Sequence, residues 1–114
     1  MEVIGDPKGF NCIIPDDIAD TCGTAIKALK TLKENGAEDV YFTVTHAVLS
    51  GNAVEELNNA PFAGIWFSDS CLSEENKKRI KKLEIISTAK LIAKIIDNLH
   101  NGKSVTELWH NNGD

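Results

Sequence analysis

The chain has 114 residues, 42% of them hydrophobic, with 17 acidic against 12 basic side chains and a net charge of −5. That length suits one compact α/β domain, and the acidic balance excludes a general role on nucleic acid, whose affinity rests on Lys and Arg neutralising phosphates. No apolar run reaches the length that spans a bilayer, so no membrane segment is expected.

Residues 1–9 carry neither a basic segment nor an apolar stretch, which predicts no secretory leader. Phe10–Ile14 reads as a buried strand, and Ala25, Leu29 and Leu32 then recur at helical spacing, with Lys27, Lys30, Lys33 and Glu34 outward and Gly36 as the stop. A second strand is predicted over Val40–Thr45. Asn52 with Glu55 then forms a capping box for a helix whose apolar face is Val54, Leu57 and Ala60. Ile65–Phe67 is a third strand, with Trp66 and Phe67 packed in or against the sheet.

Ser73 caps a short helix that is acidic at Glu74 and Glu75 and basic at Lys77, Lys78 and Arg79, with Lys81 and Lys82 following, a pattern that fits a solvated helix face. Leu83–Ile86 is the fourth strand. Leu91, Ile92, Ile95, Ile96 and Leu99 form one apolar stripe, Lys90, Lys94, Asp97 and Asn98 face water, and Gly102 ends the helix. Ser104 and Glu107 read as a capping box for a last turn anchored by Leu108 and Trp109, and residues 110–114 as a frayed polar tail.

Strands alternating with helices predict repeated β-α-β units and a mostly parallel sheet of about four strands with flanking helices. If the strands lie in sequence order, right-handed crossovers put the first three helices on one face, and only the C-terminal helix remains for the other. Parallel sheets are normally covered on both faces. A further chain segment, from a parent protein or a second copy, is therefore expected to complete this one. The odd set Cys12, Cys22 and Cys71, without paired spacing, predicts reduced thiols and a cytoplasmic location.

The chemistry concentrates at Asp16-Asp17-Ile18-Ala19-Asp20-Thr21-Cys22-Gly23-Thr24, where a strand hands over to a helix. In parallel sheets ligands collect at that edge. Adjacent carboxylates need an offset, which sugar hydroxyls and a nearby Mg²⁺ would supply; a solvated acidic turn is the plain alternative. Thr21, Thr24 and successive backbone N–H groups can point at one anion, Gly23 lets it approach, and the helix N-terminus adds partial positive charge. An ordinary cap by Thr21 or Thr24 is the competing structural role. Cys22 reads as a passive loop residue, and His46, after the second strand, as a hydrogen-bonded structural histidine at the same edge.

The nonapeptide is similar to that of the phosphoribosyl pyrophosphate synthetases, also called ribose-phosphate pyrophosphokinases, with Cys22 as in eukaryotic members. The likeness continues through Asn35-Gly36-Ala37, Thr45-His46, Leu49-Ser50-Gly51, Asn58-Asn59-Ala60-Pro61-Phe62 and the stretch from His100 to Trp109, covering nearly the whole chain. It implies that residues 1–109 are the C-terminal portion of a phosphoribosyltransferase-like domain. It also implies transfer of a pyrophosphoryl group from Mg-ATP to ribose 5-phosphate in nucleotide biosynthesis, releasing AMP, in a homo-oligomer. By the same resemblance Asp16, Asp17 and Asp20 meet the ribose, Thr21, Cys22, Gly23 and Thr24 cradle the 5-phosphate, and Ser104 and Thr106 belong to a segment binding regulatory phosphate or ADP. No acid–base pair and no direct metal ligand is implied.

Pro15 departs from the family pattern and removes a backbone donor near the acidic pair. The family's ATP-binding portion, basic loop and pyrophosphate loop have no counterpart here, so the chain alone is expected to be catalytically incompetent. A non-catalytic associated subunit and a salvage phosphoribosyltransferase are the alternatives, the second opposed by the residues from Asn101 to Trp109.

Overall fold

The computed structural model describes residues 2–111. Four strands, β1 (Cys12–Ala19), β2 (Val40–Ala47), β3 (Gly64–Ser68) and β4 (Leu83–Ile86), lie in the order β1-β2-β3-β4 with every neighbouring pair parallel. Between and after them run α1 (Gly23–Glu34), α2 (Ala53–Asn59), α3 (Glu74–Arg79), α4 (Ala89–His100) and α5 (Glu107–Asn111). The expected α/β architecture with a parallel sheet is what the chain adopts.

The core lies on one face of the sheet. Val40, Phe42 and Val44 alternate inward along β2, Ile65 and Phe67 do so on β3, and Ala25 and Leu29 of α1 with Val54 and Leu57 of α2 close over them. Phe42 sits at the centre, stacked on Phe62 at 5.4 Å and edge-on to Phe67 at 5.8 Å. Gly36, at φ +89, is the left-handed residue just past α1 that lets the chain turn into β2.

The opposite face is bare. Ile13 is 65% exposed and Ile86 55%, while Tyr41 and Trp66 cover each other only in part, their rings 5.1 Å apart. Tyr41 lies against Gly64, where a Cβ would come within 3.1 Å of the ring. The predicted cover from α4 is not delivered: no residue of α4 is buried, and Ile92, Ile96 and Leu99 of its stripe face solvent. Asn98, expected outward, is instead half-buried and donates to the Ser104 carbonyl. The radius of gyration, 16.8 Å, exceeds the ~13 Å of a compact chain of this length, as a helix standing off the sheet requires.

Several expectations near element ends need correction. Phe10 precedes β1 and is 65% exposed, so the first strand starts later than its apolar run and carries on through the acidic pair. An edge strand backed by one helix needs little apolar content, and β2 continues far enough to pair with Ile18 and Ala19. Pro15 is accommodated on that edge strand, in register with Thr43. Asn52 occupies the cap position of α2 without a side-chain bond, whereas Ser73 does accept from the Asn76 amide at 3.1 Å. Ser104 accepts from the Thr106 amide at 3.2 Å rather than closing a box with Glu107, and Trp109 is 61% exposed. Residues 110 and 111 of the expected tail belong to α5, and 112–114 lie outside the described residues.

What holds α4 is a clamp. The Asp69 carboxylate accepts from Ser87 Oγ at 2.8 Å and from the Thr88 amide and hydroxyl at 2.9 and 2.8 Å. These bonds, the Thr88 amide first, hold its carboxyl down at about 2, so its contribution is present above the ordinary carboxylate value of 3.8 and fades as pH falls through about 2. Asp69→Ala is accordingly expected to speed amide hydrogen exchange at the start of α4 at neutral pH, read by mass spectrometry, with the core strands unchanged.

Candidate functional site

The end of β1 and the start of α1 enclose a cavity of about 200 Å³ lined by Asp16, Asp20, Thr21, Cys22, Gly23 and Thr24, with Phe42 beneath. The chain reaches it through a left-handed turn at Cys22, φ +68, a conformation that a non-glycine residue adopts only where its surroundings impose it. Cys22 is the cap residue of α1 yet makes no side-chain capping bond, and neither Thr21 nor Thr24 takes over that role among the described residues. The first amides of α1 are thus left without side-chain acceptors next to open space. Such a helix end attracts an anion, through its unpaired N–H groups and its partial positive charge.

Each carboxylate is oriented by its surroundings. Asp16 Oδ1 accepts from the Asp17 amide and Asp17 Oδ1 from the Ile18 amide, both at 2.8 Å, while Asp20 Oδ1 accepts from the Ser50 hydroxyl. Each of these bonds engages Oδ1, and among the described residues Oδ2 of all three carboxylates has no protein donor. Asp16 and Asp20 line the cavity; Asp17, expected with them, does not.

Cys22 lines the cavity as a buried thiol. Burial first, then the neighbouring Asp16 and Asp20 charges, push its pKa up from 9.0 to about 11. It stays protonated at neutral pH, which removes it as a nucleophile and spares the cavity a further negative charge. Cys12, Cys22 and Cys71 are all free thiols.

The remaining sequence candidates lie elsewhere. His46 Nδ1 is 2.7 Å from Ser70 Oγ, whose hydroxyl donates to the Thr45 carbonyl at 3.0 Å, so the ring belongs to a network tying β2 to the loop after β3. Ser104 and Thr106 sit in the connection between α4 and α5 and do not line the cavity. Among the described residues no group of three or more His, Cys, Asp or Glu side chains assembles as a metal site, and no helix is long and apolar enough to cross a membrane. Sequence reasoning missed Ser50: it is 30 residues from Asp20, and only the parallel pairing of β1 with β2 brings them together.

Residues 1–110 match the model of the family described as phosphoribosyl synthetase-associated domain. Ribose-phosphate pyrophosphokinase 3 of Saccharomyces cerevisiae is 42% identical over 111 residues, 97% of this chain and 35% of that protein. The ribose-phosphate pyrophosphokinase of Caldanaerobacter subterraneus is 40% identical over 109 residues, 96% of this chain and 34% of that protein. The crystal structure of phosphoribosylpyrophosphate synthetase from Mycobacterium smegmatis superposes with a TM-score of 0.81 at 35% identity, covering 87% of this chain and 33% of that one. The chain spans about a third of the length of the curated relatives it matches.

Proposed function

The chain belongs to the phosphoribosyl synthetase-associated domain family, and from that membership we propose that its cavity is the ribose 5-phosphate half of a ribose-phosphate diphosphokinase site. The observation that carries the reading is the uncapped start of α1 opening beside two oriented carboxylates. A sugar phosphate matches both ends at once. Its phosphate takes the amides of the loop from Thr21 to Thr24 with the threonine hydroxyls, and its ribose hydroxyls donate to Asp16 and Asp20. The sugar ring keeps the dianion apart from the carboxylates, which a bare phosphate with a free choice of position would avoid. Asp17 lies next along β1 and contributes to the local negative field. The carboxylates are hard oxygen donors that suit Mg²⁺ held through water and sugar hydroxyls, and the metal would supply charge neutralisation on the phosphates of ATP.

The same cavity explains why this chain is expected to bind without turning over. Phosphoryl transfer is driven by cationic groups placed around the moving phosphates, and among the described residues no Lys or Arg lines the cavity. Calorimetric titration with ribose 5-phosphate and Mg²⁺ should saturate at one site per chain, while ATP added to the mixture should yield no AMP. Absence of binding would remove the half-site; appreciable AMP would remove the incompetence. A second reading, a non-catalytic subunit that joins a longer synthetase or another copy, is favoured by the bare sheet face and the exposed α4 stripe. Ser104 and Thr106, near that stripe, stand as the candidate regulatory phosphate or ADP contacts of this reading.

A further inference from the structure

The loop after β2 is buckled onto the end of β1. The amides of Val48 and Leu49 both donate to the Ala19 carbonyl, at 2.9 and 3.2 Å, the Ser50 amide donates to the Asp20 carbonyl at 3.0 Å, and the Ser50 hydroxyl donates to the Asp20 carboxylate. Leu49, at the middle of the buckle, is left-handed at φ +58 and 7% exposed, so its side chain is sunk in the core while its backbone holds a conformation that leucine alone would not choose. Leu49 and Cys22, the two non-glycine residues with positive φ among those described, flank Asp20 from the two loops that meet there. Strain of this kind persists where surrounding structure over-determines it, and it concentrates where a group must be held in place.

We propose that Ser50 is a positioning residue: held by the core-anchored Leu49, it fixes the Asp20 carboxylate with Oδ2 turned to the sugar end of the bound ester. The proposal rests on the sugar-phosphate reading of the cavity and deepens it, by assigning the sugar end to a two-loop device and the phosphate end to the α1 loop alone. A serine hydroxyl can donate only one hydrogen bond, and Ser50 donates it to Asp20. Ser50 therefore acts through Asp20 and need not touch the ligand. Removing its hydroxyl leaves Asp20 free to rotate and makes ordering the carboxylate part of the cost of binding.

The two ends of the ligand separate the outcomes. Ser50→Ala and the near-isosteric Ser50→Cys, a weak donor, are each expected to lose about tenfold in ribose 5-phosphate affinity. Their affinity for inorganic phosphate, which uses the loop alone, should match that of the parent, and Ser50→Thr should restore sugar-phosphate binding. Parental affinity for ribose 5-phosphate in both Ala and Cys variants would overturn the proposal. So would an equal loss for ribose 5-phosphate and inorganic phosphate, the mark of a general structural role, or failure of Thr to rescue. If the parent chain itself binds inorganic phosphate but shows no preference for ribose 5-phosphate, the sugar-phosphate reading fails, and that result is visible without any Ser50 variant.

Discussion

Gly23→Ala is expected to leave the protein as stable as the parent or slightly more so, and to weaken ribose 5-phosphate binding about 100-fold. Gly23 opens α1, its φ is not positive, and an added Cβ would meet nothing nearer than Thr21 Oγ1 at 3.8 Å. Nothing in the free protein demands glycine there. Replacing a first-turn glycine by alanine narrows the unfolded ensemble and favours the helix by a few tenths to about 1 kcal/mol. In the complex the situation reverses, because Gly23 and Thr21 line the same cavity and the methyl group would stand where the phosphate approaches the amides. Two charge-assisted bonds lost at about 1.5 kcal/mol each account for the fold-change. Calorimetric titration checks the affinity and thermal melting the stability. A drop in both would mean that Gly23 serves the fold rather than the ligand.

The largest loss of stability is expected from Phe42→Ala, about 3–5 kcal/mol by urea denaturation. Phe42 is fully buried between Phe62 and Phe67, on the central part of β2, where both β1 and β3 pair with it. Truncation would leave a void under two aromatic rings, which neighbouring strands locked into a ladder cannot collapse to fill. Phe42 also lines the candidate cavity. The variant should therefore bind ribose 5-phosphate poorly even below its unfolding transition. Phe10→Ala is the contrast, since Phe10 is 65% exposed and outside β1, and its effect should stay within about 0.5 kcal/mol.

The elements were legible where periodicity and capping agreed. α1 is marked by Ala25 and Leu29 inward and Gly36 beyond its end, and β4 matches the strand-like run Leu83–Ile86, with Leu83 and Ile85 half-buried and Glu84 and Ile86 exposed. β1 was misplaced because an edge strand does not need a continuous apolar run: its polar half, from Pro15 through Asp17, is exposed and is carried by pairing with β2. The α4 stripe was read from spacing alone, which reports what a helix can bury and not whether a surface is present to receive it. At the candidate site, the nonapeptide declared its residue types, and the cavity gathers Asp16, Asp20 and the loop around one space while leaving Asp17 outside. The orientation of Asp20 was hidden because it depends on Ser50 across two parallel strands, a contact that no local pattern encodes.

In the proposed function the uncapped start of α1 and the carboxylates of Asp16 and Asp20 together receive one sugar phosphate. Amide chemical-shift mapping by NMR during titration with ribose 5-phosphate tests it residue by residue. Saturable shifts are expected at Thr21, Cys22, Gly23 and Thr24, accompanied by Asp16, Asp20 and Ser50, with inorganic phosphate moving the first group and sparing the second. Shifts scattered over the lysines of α3, or none at saturating ligand in residues 16–24, would contradict it.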